Sequence, residues 1–371
     1  MVISDRRRIG TVINDENNVR FVEAPDLLWG RLRSGWDPWN LLNRIVYLSR
    51  DKSQYDLVHC FETRPTTIYP ALFYLKRHKI PLVTDWNDWW GRGGIIDELR
   101  PRWYRPLFGR VETYYEEAYR TRGAGLTVIS TALVKRAEDL GMSPERICHI
   151  PGGMHPDFFQ YRPKEQCRKR VGLALSDPIL GFSSFDGHWD LDIVMKALSR
   201  VAIRYPKVKL MITGDAGTPV RNLAKKHGVE NNVLLTGYLP LADLPWWLGC
   251  CDLFVLPFPK KPYNVGRWPN KIGDYACLGR PTVSNPVGDI KTLFERHDIG
   301  VLTECNSDGF TEKIIHLLEN PHETRRLGEN ARQLAQSEYA WRNLIGRLED
   351  FYHKVLDLET QSPRCPARSI A

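Results

Sequence analysis

No apolar run in this chain approaches the length, about 18 residues, that a membrane-crossing helix requires, so no spanning helix is expected. The opening MVISDRRRIG carries positive charge with no apolar segment behind it, which is not the pattern of a secretory leader. Paired CxxC spacing is absent too. The eight cysteines, at 60, 148, 167, 250, 251, 277, 305 and 365, lie mostly in apolar segments and read as reduced, buried thiols of a cytoplasmic protein. His149 and His155 have no second ligand at metal spacing, so neither a structural zinc nor a catalytic metal is expected.

The composition is that of a globular protein, 42% hydrophobic and 26% charged over 371 residues, a length that favours two domains over one growing core. A formal net charge of +8 favours an anionic partner, leaving nucleotide, lipid surface and nucleic acid open. The start is irregular. Residues 9–14 and 19–22 pattern as short strands around Glu16-Asn17-Asn18, and the polar stretch 4–8 stands where a buried strand is due. Trp29, Trp36 and Trp39 then interleave with Arg31, Arg33 and Arg44, which fits contact with nucleic acid, packing within the domain, or a lipid headgroup layer.

From Tyr55 onward the pattern is regular. Strands at 56–61, 81–84 and 125–129 alternate with helices at 65–76 and 104–122, which implies a mostly parallel sheet covered on both faces. Ser130 and Thr131 cap a helix at 132–140. A second unit repeats the logic, with strands at 179–183, 208–213 and 233–236 and helices at 191–203, 219–227 and 242–249. The expected division is 1–160, 161–340, a helix at 341–358 that crosses back to the first domain, and a loose tail at 359–371.

The stretch 251–289, CDLFVLPFPKKPYNVGRWPNKIGDYACLGRPTVSNPVGD, carries the chemistry. A buried strand at 253–256 stops at Pro257, a loop follows, Pro269 opens a helix that ends at Gly279, and a second strand spans 282–284. In open parallel sheets ligands sit at the carboxyl ends of strands. Lys271 and Asp274 share one face of the helix; Lys271 suits a phosphate, Arg267 adds a fork of donors, and Asp274 suits a ribose diol. Gly266 and Gly288 let backbone approach a ligand. The same residues also fit an ordinary surface ion pair beside a tight loop. Gly214-Asp215-Ala216-Gly217 likewise fits either a phosphate-facing turn or a plain one.

In order and content the chain resembles the retaining glycosyltransferases of GT-B fold in glycosyltransferase family 4, also called glycosyl transferases group 1. Thr127-Val128-Ile129-Ser130 with the run 147–159 resembles the family's interdomain passage; Ile212 to Gly217 resembles its glycine turn. Leu235-Thr236-Gly237-Tyr238-Leu239-Pro240 with 251–257 is similar to its base-binding turn and following strand, and Pro269 to Pro281 to the form P.K..EY.A.GKP. The likeness covers residues 56–352. It implies two Rossmann-like α/β domains facing each other across a cleft, and a nucleotide diphosphate-sugar donor held by the second domain through Gly214, Gly237, Tyr238, Gly266, Arg267, Lys271 and Asp274. It also implies a glycan, lipid-linked or small-molecule acceptor on the first domain, with no cofactor and no metal. Arg267 and Lys271 would stabilise the leaving diphosphate. Nucleic acid is not an expected partner; peripheral contact at the inner face of a membrane stays open.

The departures are specific. The family's pair of glutamates falls here on Gly266, which has no carboxylate, and Asp274, one methylene shorter; either backbone amides at 265–268 substitute for the first or the donor differs from the common hexose nucleotides. After Phe182-Ser183-Ser184 the family's basic residue is replaced by Phe185-Asp186-Gly187-His188-Trp189-Asp190. The family's histidine-aspartate pair becomes Asn87-Asp88, so Asp88 takes the role of orienting an acceptor hydroxyl, with Arg92 near phosphate; a loop packed by Trp86, Trp89 and Trp90 is the competing account. The first strand and glycine-rich turn are not recognisable before Val19, which fits a shortened first domain or an incomplete one. An inactive chain that binds a nucleotide-sugar or a protein partner is the alternative function.

Overall fold

The computed structural model describes residues 1–5, 10–26, 35–184, 190–215 and 217–361. Trp29, Arg31 and Arg33, the segment 185–189, Ala216, Cys365 and the tail from 362 onward lie outside the described residues. Contacts divide the chain into two compact units: Met1–Ile150 together with the segment from Arg347, and Pro151–Gly346.

The first unit opens with a small sheet in which β1 (Val2–Asp5) runs parallel to β3 (Val19–Pro25), and β2 (Val12–Glu16) pairs with β3 as a hairpin. The turn between them uses Asn17 and Asn18, both in the left-handed region at φ 49° and 63°, as a two-residue asparagine hairpin requires. β1 corrects the sequence reading, which had no strand ahead of residue 9. With only Val2 and Ile3 apolar, its edge pairing rather than its composition makes it a strand.

Then come α1 (Pro38–Arg50), β4 (Val58–Cys60), α2 (Pro65–His78), β5 (Leu82–Trp86), α3 (Ile95–Leu99), a π-helical turn at Arg105–Gly109, α4 (Arg110–Arg120), β6 (Gly125–Val128), α5 (Thr131–Asp139) and β7 (Ile147–His149). The strands form a parallel sheet in the order β4-β5-β6-β7. β5 and β6 are buried along their whole length, as strands covered on both faces should be. The helix expected at 104–122 is present, and it opens with the π turn, which runs directly into α4. Of the alternatives open for Arg44 and Trp36, the structure shows packing within the domain: Arg44 is buried, donating to Asn40 Oδ1 and Ser4 Oγ at 2.8 Å each, and Trp36 packs edge-on to Tyr115.

The second unit runs α6 (Lys164–Val171), β8 (Ile179–Ser183), α7 (Leu191–Arg204), β9 (Lys209–Thr213), α8 (Gly217–Lys226), β10 (Val233–Gly237), α9 (Leu244–Leu248), β11 (Leu253–Leu256), α10 (Pro262–Val265), α11 (Lys271–Cys277), β12 (Thr282–Ser284), α12 (Asp289–His297), β13 (Gly300–Leu302), α13 (Ser307–Glu319) and α14 (Pro321–Gln336). Its parallel sheet has the order β10-β9-β8-β11-β12-β13. Counted from β8 that is 3-2-1-4-5-6, the doubly wound Rossmann order, whose winding reverses between β8 and β11. α7 shows why such helices form where they do: Leu191, Val194, Met195, Leu198 and Val201 recur at helical spacing and are all buried. The last helix, α15 (Trp341–Gln361), begins in the second unit and ends in the first, where Phe351 and Val355 pack with Val83.

Candidate functional site

The second unit's candidate site lies at the reversal point. Phe182, next to last in β8, lies under the Lys271 ammonium, 4.3 Å from the ring centroid. Phe258, just beyond β11, and Tyr263 lie under the Arg267 guanidinium at 5.2 and 5.4 Å. Both cations are thus held against aromatic faces at the ends of the two strands that flank the reversal, where an anion binds in sheets of this topology. Asp274, one turn along α11 from Lys271, is half-buried and, among the described residues, its carboxylate makes no hydrogen bond. Removal from water pushes its pKa up to about 7, against the opposing pull of the Lys271 charge.

Tyr275 locks this helix to β8. Its ring is stacked on Phe254 at 3.7 Å, and its hydroxyl meets the Ser183 amide at 2.9 Å and the Ser183 hydroxyl at 3.0 Å. The residue is fully buried, and burial raises its phenol well above the ordinary range. Sequence reasoning quoted Tyr275 within a motif without giving it a role; a hydroxyl on an otherwise apolar helix face was the available signal.

Two of the predicted glycines come together. Gly214 N–H donates to the Gly237 carbonyl at 2.9 Å, linking the turns after β9 and β10, and both sit at positive φ. Tyr238 follows with its ring 78% exposed, free of any packing role in the core. Gly266 closes α10, and Gly288, at φ 57°, lies against the Val265 backbone so tightly that a Cβ would come within 3.1 Å of its carbonyl oxygen. The amides of Val265 and Gly266 are not offered to a sugar: they donate to Lys261 O and Pro262 O at 3.0 Å each. That corrects the substitution of backbone amides for the missing carboxylate at those two positions.

In the first unit Asp88 lies two residues beyond β5, half-buried, in a loop packed by tryptophans. Glu116 anchors that loop, accepting from Trp86 Nε1 at 2.9 Å, Trp90 N at 2.8 Å and Gly91 N at 2.5 Å. Arg136 lies over Trp89, and Arg64 over Trp90. Arg92, expected near phosphate, is exposed and 3.4 Å from Glu117. His155 is exposed beside Trp341, while His149 faces the Ile129 carbonyl at 3.2 Å.

A buried polar chain was missed altogether. Thr127 Oγ1 donates to Asp85 Oδ1 at 2.5 Å and lies 3.3 Å from His59 Nε2, and His59 Nδ1 lies 2.7 Å from the Tyr352 hydroxyl. Burial pushes Asp85 up to about 6 and His59 down to about 4. The histidine is therefore neutral near pH 7, its Nε2–H donating to Thr127 while Nδ1 accepts from Tyr352. The signal was a histidine and an aspartate inside two strands that otherwise read as core. Among the described residues, no group of His, Cys, Asp and Glu is placed to hold a metal ion.

Comparison with known proteins supplies the family. The profile described as "Glycosyl transferases group 1" matches residues 178–320, and that described as "Glycosyl transferase 4-like domain" matches residues 8–153. The chain belongs to the GT-B glycosyltransferases. Among solved structures, this glycosyltransferase fold is shared with sucrose-phosphate synthase from Thermosynechococcus elongatus, at TM-score 0.74 and 15% identity over 97% of this chain and 89% of that one. Anabaena Alr3699/HepE in complex with UDP gives TM-score 0.67 at 17% identity, over 92% of this chain and 86% of that one. In sequence, the MMP alpha-(1->4)-mannosyltransferase of Mycolicibacterium hassiacum is 22% identical over 83% of this chain and 73% of that protein. The GDP-mannose-dependent alpha-(1-6)-phosphatidylinositol monomannoside mannosyltransferase of Mycolicibacterium smegmatis is 24% identical over 54% of this chain. The match spans only 55% of that enzyme.

Proposed function

We propose that this GT-B chain is a retaining transferase of the family 4 type, moving a sugar from a nucleotide diphosphate-sugar to a glycan, lipid-linked or small-molecule acceptor without a metal. The observation that carries the proposal is the pair of cations, Lys271 on Phe182 and Arg267 on Phe258 and Tyr263, at the reversal point of a Rossmann-order sheet, with Asp274 one turn from Lys271. The relatives support the class: their names include a GDP-mannose-dependent mannosyltransferase and a D-inositol 3-phosphate glycosyltransferase.

In this reading Lys271 and Arg267 take up the charge that grows on the diphosphate as its bond to the anomeric carbon breaks. Asp274 accepts from the ribose hydroxyls, and the turns at Gly214 and Gly237 with Tyr238 border the nucleoside. The acceptor oxygen bonds to the anomeric carbon on the face the diphosphate leaves, and its proton passes to a departing phosphate oxygen. Positioning and electrostatics then supply the rate, with Asp88 orienting the acceptor hydroxyl. The site is read as cytoplasmic, facing a nucleotide-sugar pool.

One observation favours a second reading, a chain that binds the donor without transfer. Position 266 has no carboxylate, and the neighbouring amides are consumed within α10. Incubating the chain with UDP-, GDP- and ADP-hexoses in the presence of a chelator, and following nucleotide release with and without acceptors, separates the two. Turnover of one donor supports the transferase; tight nucleotide binding with no turnover of any donor establishes the second reading.

A further inference from the structure

Residues 99–114, LRPRWYRPLFGRVETY, fold with their polar side inward. They comprise the end of α3, the π turn and the start of α4. Toward the domain interior point Glu112, which accepts from the Tyr104 hydroxyl at 2.7 Å, and in the next turns of α4 Glu116 and Arg120, all buried. Toward solvent point Trp103 at 66% exposure, Leu107 at 67% and Phe108 at 52%, followed by exposed Val111 and Tyr114. Positions 107, 111 and 114 are four and three apart, so the exposed apolar side chains form one continuous stripe. A helix that buries its carboxylates and leaves its apolar stripe in water lacks the contact that stripe would make.

The charge around the stripe selects the occupant. Arg100, Arg102, Arg105 and Arg110 fall between Leu99 and Val111, with no acidic residue among them, and Arg102 and Arg110 are exposed. Tryptophan and tyrosine beside leucine and phenylalanine, ringed by arginine, is the composition that lies in the plane of an anionic bilayer surface. α4 opens with a π turn here, and such turns recur at functional sites. Among the described residues no helix is long and apolar enough to cross a membrane, which leaves contact with its surface.

We propose that residues 99–114 dock the first domain onto an anionic lipid surface, with Trp103, Leu107 and Phe108 entering the boundary between headgroups and acyl chains while Arg102 and Arg110 meet lipid phosphates. The inference does not depend on the donor site. It is tested by sedimenting the full chain with phosphatidylcholine vesicles with and without phosphatidylglycerol, at low and high salt. The chain should pellet with the anionic vesicles and be released by salt. Arg102→Ala and Arg110→Ala should each weaken partitioning roughly fivefold, and a Leu107→Ser/Phe108→Ser variant should weaken it at least about tenfold. Melting temperature and nucleotide affinity, read on the same variants, should not change. Failure to bind anionic vesicles, or unchanged binding of the serine variant, overturns the proposal. Self-association lost in the serine variant without any vesicle binding also overturns it, and assigns the face to a second copy of the chain.

Discussion

The amide of Gly214 and the carbonyl of Gly237 meet across 2.9 Å, and this bond ties together the turns at the ends of two neighbouring strands. Gly214 has φ 99° and Gly237 φ 69°, so a side chain at either is strained even where space is free. Gly214→Ala should destabilise the chain by about 1–2 kcal/mol and weaken nucleoside diphosphate binding. Thermal melting and calorimetry on the same variant check both; a destabilised variant with unchanged affinity would make this a turn of structure alone.

Tyr275→Phe should cost about 1–2 kcal/mol, because it leaves the buried Ser183 amide without its acceptor while the stacking on Phe254 persists. Denaturant melts measure the loss. Since Ser183 ends β8 beside Phe182, on which Lys271 rests, nucleotide affinity should fall with it.

Asp274 gives a pH dependence of defined sign. Its pKa of about 7 in the folded chain lies above the ordinary aspartate value of 3.8. Below about pH 4 the group is protonated in both states and costs nothing. As pH rises from about 4 to about 7 the unfolded chain releases the proton first, so stability falls through that window and levels off above it. Asp274→Asn should remove this decline, making the variant more stable than the parent at pH 8 by about 2 kcal/mol, less than 1.36 kcal/mol per pKa unit gives because the side chain keeps some water. Parallel melts of the two chains at pH 4 and pH 8 decide it.

Much of the fold was legible in the sequence where burial is two-sided. Leu253–Leu256 is apolar and stops at Pro257, Thr282–Ser284 is short and follows Pro281, and the structure has both strands where the sequence put them. The helix expected at 191–203 was equally direct, and α7 spans Leu191–Arg204. What was hidden depends on contacts distant in sequence. β1 is a strand because β3 runs beside it, the helix expected at 104–122 opens with a π turn, and Arg44 is buried through Asn40 and Ser4. At the site, the sequence named residues without their supports. It could give Lys271 a charge, but not the Phe182 ring beneath it, and it could not show that the Val265 and Gly266 amides are spent on Lys261 and Pro262.

In the first domain Glu116 accepts from Trp86, Trp90 and Gly91, and burial raises its pKa. Glu116→Ala leaves those donors buried and unpaired, and should destabilise the chain by about 3 kcal/mol. Hydrogen exchange should locate the loosening at residues 87–94. Asp88→Asn should lower transfer to an acceptor without altering nucleotide affinity, which paired kinetics and calorimetry measure.

The proposed donor site requires Lys271 to hold a nucleoside diphosphate on the second domain, and calorimetry with UDP, GDP and ADP on the parent chain and on Lys271→Ala measures that contribution. One nucleotide should bind much more tightly than the others, and the variant should lose at least about tenfold in affinity, the 1.4 kcal/mol or more expected when a charge-assisted contact to phosphate is removed. Equal affinity in the parent and the Lys271→Ala variant would contradict it.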